Sequence, residues 1–227
     1  MPMRAIVSVL LFGWLWAPSL LAAEPALSPC LMQPRVQAMV LPERGFSRLP
    51  GDDLDCPEVP LTAWQRAAAG PWTLAVHADG PAGSGRFWTL AVGVLGDGPS
   101  PFARGVCLSS STIGWRTLQG FGTGALRWLE DVDGDGNAEL ILWDSFALRD
   151  EPSMAEYGLM AWVYRLAAAD TLRLDRALSR SRARTLATAY RLASVTPAHL
   201  EALRSEAATA LEEFADGRCA IVTTALR

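Results

Sequence analysis

Leu129-Glu130-Asp131-Val132-Asp133-Gly134-Asp135-Gly136-Asn137-Ala138-Glu139-Leu140-Ile141-Leu142-Trp143 sets two opposed patterns end to end. An acidic, glycine-bearing loop runs directly into an apolar series that continues to Phe146. A series of this length, partly β-branched and aromatic and bounded by turn-forming residues, reads as a buried strand. Ala125 to Glu130, on the other side of the loop, reads as a second extended piece, so the loop joins two strands.

Working outward, Pro71 to Ala78 and Arg86 to Leu95 are rich in Trp, Val, Thr and Leu and flank a Gly/Pro/Asp turn at 79–85. They predict a β-hairpin. Arg104 to Leu108 and Thr112 to Thr117 supply further short extended pieces. Leu159 to Leu166 and Thr171 to Leu174 predict another hairpin, turning on residues 167–170. From about Ser181 the composition shifts to Ala, Leu and Arg, and Leu186, Tyr190 and Ala193 are spaced as one helical face. Thr196 and Pro197 suit an N-cap and first helical position, and Leu200, Leu203, Ala207, Leu211 and Phe214 keep the helical rhythm until Gly217. The expected fold class is α+β, a mainly antiparallel β-sheet domain with C-terminal helices. The expected segments are a signal peptide at 1–23, an irregular Pro/Gly-rich N-terminal segment at 24–60, the β domain with its loop at 61–175, and helices at 176–227.

Residues 1–23 place Arg4 ahead of an apolar run from Ala5 to Trp16, then Pro18 and the small residues Ala22 and Ala23. That is the pattern of a secretory signal peptide. The run is short for a membrane span, no later segment supplies a longer one, and Pro29 before Cys30 does not suit a lipid anchor. The expected location is periplasmic or secreted, with no membrane insertion after signal cleavage. Four cysteines, Cys30, Cys56, Cys107 and Cys219, follow the signal. In an oxidising compartment they predict two disulfides, for which Cys30 with Cys56 and Cys107 with Cys219 are the favoured pairings. The formal net charge is −4 and the chain contains no lysine, so it lacks the basic footprint of a nucleic-acid binder.

In the loop, carboxylates stand at positions 1, 3, 5 and 9 (Asp131, Asp133, Asp135, Glu139), with glycine at 4 and 6. Hard divalent cations take six to eight oxygens, and alternate residues of a tight loop can point inward together. Carboxylates this close repel one another by roughly 4 kcal/mol per 4 Å pair at an effective dielectric of 20, and a cation relieves that. The loop is not an EF-hand, because position 12 is Leu142 and strands rather than helices flank it. It resembles instead the Asp-x-Asp-Gly-Asp-Gly-x-x-Asp loops of FG-GAP and VCBS-type repeats, with Glu139 in place of the final Asp. As in those repeats, a glycine-rich stretch (120–124) precedes it and an apolar strand follows it. The resemblance covers about 30 residues and occurs once, which does not make a propeller. It implies a calcium site with Asp131, Asp133, Asp135 and Glu139 as side-chain ligands and the Asn137 backbone carbonyl as a further one. Magnesium, which prefers to keep its waters, suits so many protein oxygens less well.

No catalytic constellation stands out. His77 and His199 read as surface or capping residues, and Gly-x-Ser-x-Gly, His-Glu-x-x-His and Walker patterns are missing. Ser109, Ser110 and Ser111 read as a polar loop, Asp144, Asp150 and Glu151 as solvated loop residues, and Arg180, Arg182 and Arg184 as a solvated basic run. Trp64, Trp72, Trp88, Trp115, Trp128, Trp143 and Trp162 read as core rather than as a sugar-stacking platform. The expected function is a non-enzymatic interaction or envelope protein with a protein or glycan partner. The alternative is a metal-dependent envelope hydrolase or carbohydrate-active protein.

Overall fold

Period-2 alternation builds the first sheet. In β4 (Trp72–Asp79), β5 (Phe87–Leu95) and β6 (Phe102–Ser111), the side chains of Leu74, Val76, Leu90, Val92, Val94, Val106 and Leu108 enter the main core. The intervening Ala75, Ala91 and Cys107 face the other way, where Trp64 covers them. The computed structural model describes residues 27–49, 52, 64–79, 87–95, 102–111, 127–150, 152–153, 156–168, 170–193 and 198–222. The proposed signal peptide, the 79–85 turn apart from Asp79, Thr112 to Thr117, Trp115 and the Thr196-Pro197 cap lie outside these residues.

Both expected hairpins form. β4 pairs antiparallel with β5, and β5 with β6. The second sheet runs β1 (Ala38–Val40), β10 (Thr171–Leu174), β9 (Tyr157–Ala168), β8 (Glu139–Ala147) and β7 (Leu129–Glu130), all antiparallel. The first sheet is completed by β3 (Gln65–Ala69), antiparallel to β4, and by β2 (Gly45–Arg48), parallel to β6. The fold is therefore α+β with mainly antiparallel sheets. One continuous apolar cluster takes side chains from both sheets and both helices.

Several expectations change. The 24–60 segment is not wholly irregular, because β1 and β2 add an edge strand to each sheet; at three and four residues they are too short to display a period. Ser109 to Ser111 are not a loop but the end of β6, with Ser109 and Ser110 buried. Neither favoured disulfide pairing occurs as a pair involving Cys30 or Cys219, since these two are bonded to each other. The reason is local. Pro29 and Ala220 form a parallel bridge, Cys30 N–H donates to the Ala220 carbonyl at 2.9 Å, and Ala220 N–H donates to Ser28 at 2.8 Å. Cys107 is also disulfide-bonded. Closing a loop with a sequence separation of 189 residues restricts the unfolded chain by about 5 kcal/mol on the chain-entropy account.

Helix α1 (Arg176–Leu192) starts earlier than the composition change at Ser181 suggests. Asp175 caps it, its carboxylate accepting the Leu178 N–H at 2.9 Å. Helix α2 (Ala198–Ala215) buries Ala207, Leu211 and Phe214 and ends at Gly217, whose φ of 71° suits glycine. Phe214 meets Trp162 of β9 edge to face, with ring centroids 5.4 Å apart. No helix among the described residues is long and apolar enough to cross a membrane.

The placement of α1 follows from β9. Strand β10 pairs only with its final part, Tyr164 to Ala168, leaving backbone groups on the earlier part of that edge. Helix α1 takes them over. Val163 N–H donates to Ser179 Oγ at 3.0 Å, Leu159 N–H donates to Tyr190 Oη at 3.0 Å, and Asp175 N–H donates to the Val163 carbonyl at 2.8 Å. Burial pushes the Tyr190 hydroxyl up to about 12, so it stays protonated at ordinary pH. Ser179 is fully buried, so Ser179→Ala leaves the Val163 N–H without a partner in the core. The variant is expected to lose about 1–3 kcal/mol in urea unfolding, with faster hydrogen exchange at Val163.

Candidate metal-binding loop

The loop is held open by its own carboxylates. Asp131 Oδ1 accepts the N–H groups of Gly134 (2.8 Å) and Asp135 (3.1 Å), and its Oδ2 accepts that of Gly136 (2.9 Å). Asp133 Oδ1 accepts the Asp135 N–H at 3.2 Å, and Asp135 Oδ1 accepts the Asn137 N–H at 2.8 Å. Glu139 Oε2 reaches back to the Val132 N–H at 2.8 Å. These are the local side-chain turns that Asp favours. They require φ of 77° at Gly134 and 88° at Gly136, conformations that cost a side-chain-bearing residue about 1–2 kcal/mol each.

Strand packing fixes the base of the loop. Glu139 opens β8 and is 1 % exposed, because the register that places Leu140 opposite Leu129 and Tyr164 draws it into the sheet. On the far side, Asn137 Oδ1 accepts the Gly70 N–H at 2.6 Å, and Ala138 N–H donates to the Ala68 carbonyl at 2.7 Å. The loop is thus docked on the β3–β4 turn of the other sheet.

Ligand atoms of Asp131, Asp133 and Glu139 all lie within 4.8 Å of one another. Oxygens at 2.3–2.6 Å from a calcium ion stand at most about 5 Å apart, so this acidic triad can hold a metal ion, and its all-oxygen donor set suits a hard one. Of the expected ligands, Asp131, Asp133 and Glu139 converge. Asp135 stands beside them, sharing Arg165 with Asp133 and Glu139, and the Asn137 side chain, as distinct from the backbone carbonyl expected as a ligand, accepts the Gly70 N–H. Burial raises the Glu139 carboxyl above its ordinary range. The Val132 N–H opposes that, while Asp135, Asp131 and Asp175 add to it.

Sequence reading missed two members of the cluster. Arg165 of β9 is ion-paired with Asp133, lies 3.2 Å from Glu139 Oε1 and 3.7 Å from Asp135 Oδ2, and reaches Asp175 Oδ2 at 3.4 Å. A signal was present, since Arg165 is the single charge in the apolar run Leu159 to Leu166. Nor is the basic run of α1 simply solvated. Arg182 pairs with Glu130 at 2.5 Å, Arg184 donates to the Ala215 carbonyl at 2.9 Å, and Arg180 lies over the Phe214 ring at 6.0 Å.

A second polar cluster lies between the sheets. Arg35 NH1 donates to Ser109 Oγ (2.6 Å) and Asp52 Oδ1 (3.1 Å), Ser109 Oγ donates to Asp52 Oδ1 (3.0 Å), and Asp144 Oδ2 stands 3.8 Å from Arg35 Nε. Asp144 is therefore no solvated loop residue but a largely enclosed member of β8. Burial raises its carboxyl above the ordinary 3.8, with Arg35 and the Ser145 N–H opposing. A raised acid means that the native state keeps a proton the unfolded chain has released. Stability therefore falls as pH climbs from 3.8 through the native value, and the loss is complete above it. Asp144→Asn, which leaves Arg35 paired with Asp52, is expected to remove that part of the slope and to melt above wild type at neutral pH. Melting temperatures of the two proteins across pH 3.5 to 8 check this.

No protein-family model matches the chain, and no curated protein or solved structure does either.

Proposed function

We propose that the chain is an exported calcium-binding protein. Its Asp131–Glu139 loop is one structural site of the FG-GAP or VCBS kind, and its role is interaction or envelope structure rather than catalysis. The observation that carries this reading is the convergence of Asp131, Asp133 and Glu139 oxygens within 4.8 Å on a loop whose backbone is already tied in place. The signal-like N-terminus and the Cys30–Cys219 disulfide support export, because such bonds persist in oxidising compartments.

A cation here ties β7 to β8 by discharging the carboxylates of the loop that joins them, a loop that Asn137 and Ala138 dock on the β3–β4 turn. Calcium is favoured over magnesium because flexible carboxylate-rich loops meet its higher coordination number. Neither of two cavities among the described residues adjoins the loop. A groove of about 450 Å³ opens at Leu148, Arg149 and Glu206, and one of about 240 Å³ at Gln33, Asp144 and Phe146, both away from the loop.

Calorimetric titration of the purified protein with calcium tests the reading, alongside melting with excess calcium and with a chelator. At a hundredfold excess over Kd, binding stabilises by about 2.7 kcal/mol, equivalent to roughly 5–10 °C for a chain of this size. Asp133→Asn, which keeps an oxygen for the Asp135 N–H, is expected to abolish the calcium-dependent shift. Absence of both heat and shift in wild type overturns the proposal.

A further inference from the structure

We propose that Arg165 is a displaceable counter-ion of the loop, one that a divalent cation must push aside onto Asp175, and that it thereby sets the affinity of the site. This rests on the reading of the loop as a calcium site. It is carried, however, by the guanidinium rather than by the carboxylates.

Arg165 is seated among the groups that converge on the cation position. It pairs with Asp133 through NH2 and approaches Glu139 through Nε, so two of the three converging carboxylates are engaged. Two cations cannot share that space. The seat is also a poor one for an arginine. Elsewhere this chain forms two-pronged guanidinium–carboxylate pairs: Arg149 with Glu206 at 2.5 and 2.8 Å, and Arg191 with Glu212 at 2.6 and 2.6 Å. Paired donors of that kind are the geometry in which a guanidinium binds most strongly. Arg165 forms no such pair. Its contacts are spread over four carboxylates, and its buried Nε finds no hydrogen-bond partner although Glu139 and Asp175 stand 3.2 and 3.4 Å away. Beyond one NH2 hydrogen bond to Asp133, it is held by charge, and a group so held gives way to a more concentrated charge.

It also has somewhere to go. Asp175 lies outside the converging triad yet already within 3.4 Å of Nε. The Asp175 Oδ1 atom caps α1 through Leu178 N–H, which leaves Oδ2 for the guanidinium. Transfer from Asp133 to Asp175 needs only side-chain rotation, with β9 and α1 unmoved. Without the divalent ion, Arg165 partly neutralises the loop and keeps it folded; with the ion, the same residue stays paired at the helix cap.

The experiment is calcium titration calorimetry on wild type, Arg165→Gln and Asp133→Asn. Arg165→Gln keeps most of the side-chain length and removes the charge, and is expected to bind calcium at least tenfold more tightly than wild type, whereas Asp133→Asn loses binding. Equal affinity in wild type and Arg165→Gln overturns the counter-ion role while leaving the calcium site standing. No binding by either overturns the calcium site itself. Should Arg165→Gln not fold, wild type still decides. In arginine Nε–H correlation spectra one resonance, absent from Arg165→Lys, is expected to move in step with calcium, and its immobility in calcium-saturated protein overturns the proposal.

Discussion

Strand β9 has twelve residues, and the buried part of each edge must find partners. Strand β8 pairs with one edge from Tyr157 to Tyr164; the other is shared, with β10 covering Tyr164 to Ala168 and α1 meeting Leu159 and Val163. The changeover occurs at Asp175. That residue ends β10's reach, donates its N–H to Val163, caps α1 and faces Arg165. Buried backbone groups leave few alternatives to such pairing, so the position of α1 is dictated by the unpaired edge as well as by apolar packing. The acidic loop joins this arrangement because Glu139 begins β8 directly beside the point where Arg165 leaves β9.

The loop's carboxylates divide their work. One set of oxygens fixes backbone N–H groups, while Asp133 Oδ2, Asp135 Oδ2 and Glu139 Oε1 face Arg165 instead. Backbone fixing without a metal is preorganisation, since a ligand then orders fewer atoms on binding. Its cost is repulsion among like charges, which solvent lessens at Asp131 and Asp133 but not at the enclosed Glu139. Burial holds the Glu139 carboxyl above its ordinary range, and Asp135, Asp131 and Asp175 add to that.

What could be read from residue order followed the range of the interactions. The hairpins of β4–β5 and β9–β10, and the strand after the loop, were legible because alternation and turn residues lie within one short window. The acid spacing was legible for the same reason. Strand β3 was not, because Gln65-Arg66-Ala67-Ala68-Ala69 has the composition of a helix and becomes a strand only through pairing with β4. The Cys30–Cys219 bond depends on a bridge between distant segments, and Arg165 and Asp175 reach the loop only through the register of β8 and β9 and the cap of α1. Each of these is a tertiary fact with no local signature.

The two acidic clusters show why composition alone does not mark a cation site. Around Arg35, the Asp52 carboxylate is occupied on both oxygens by Arg35 and by the hydroxyl and N–H of Ser109, and Asp144 is held between Arg35 and the Ser145 N–H. That cluster lies between the sheets with two carboxylates to one arginine, but both Asp52 oxygens are already taken by hydrogen bonds that a further cation would have to strip away. At the loop four carboxylates surround the single arginine, Asp131 and Asp133 remain open to solvent, and exchange requires one side chain to rotate. Similar residues thus close one site and leave the other open. The difference lies in how many oxygens the surrounding backbone and arginine leave partly used, which is why the loop, and not the interior cluster, is the part of this fold suited to an ion from outside.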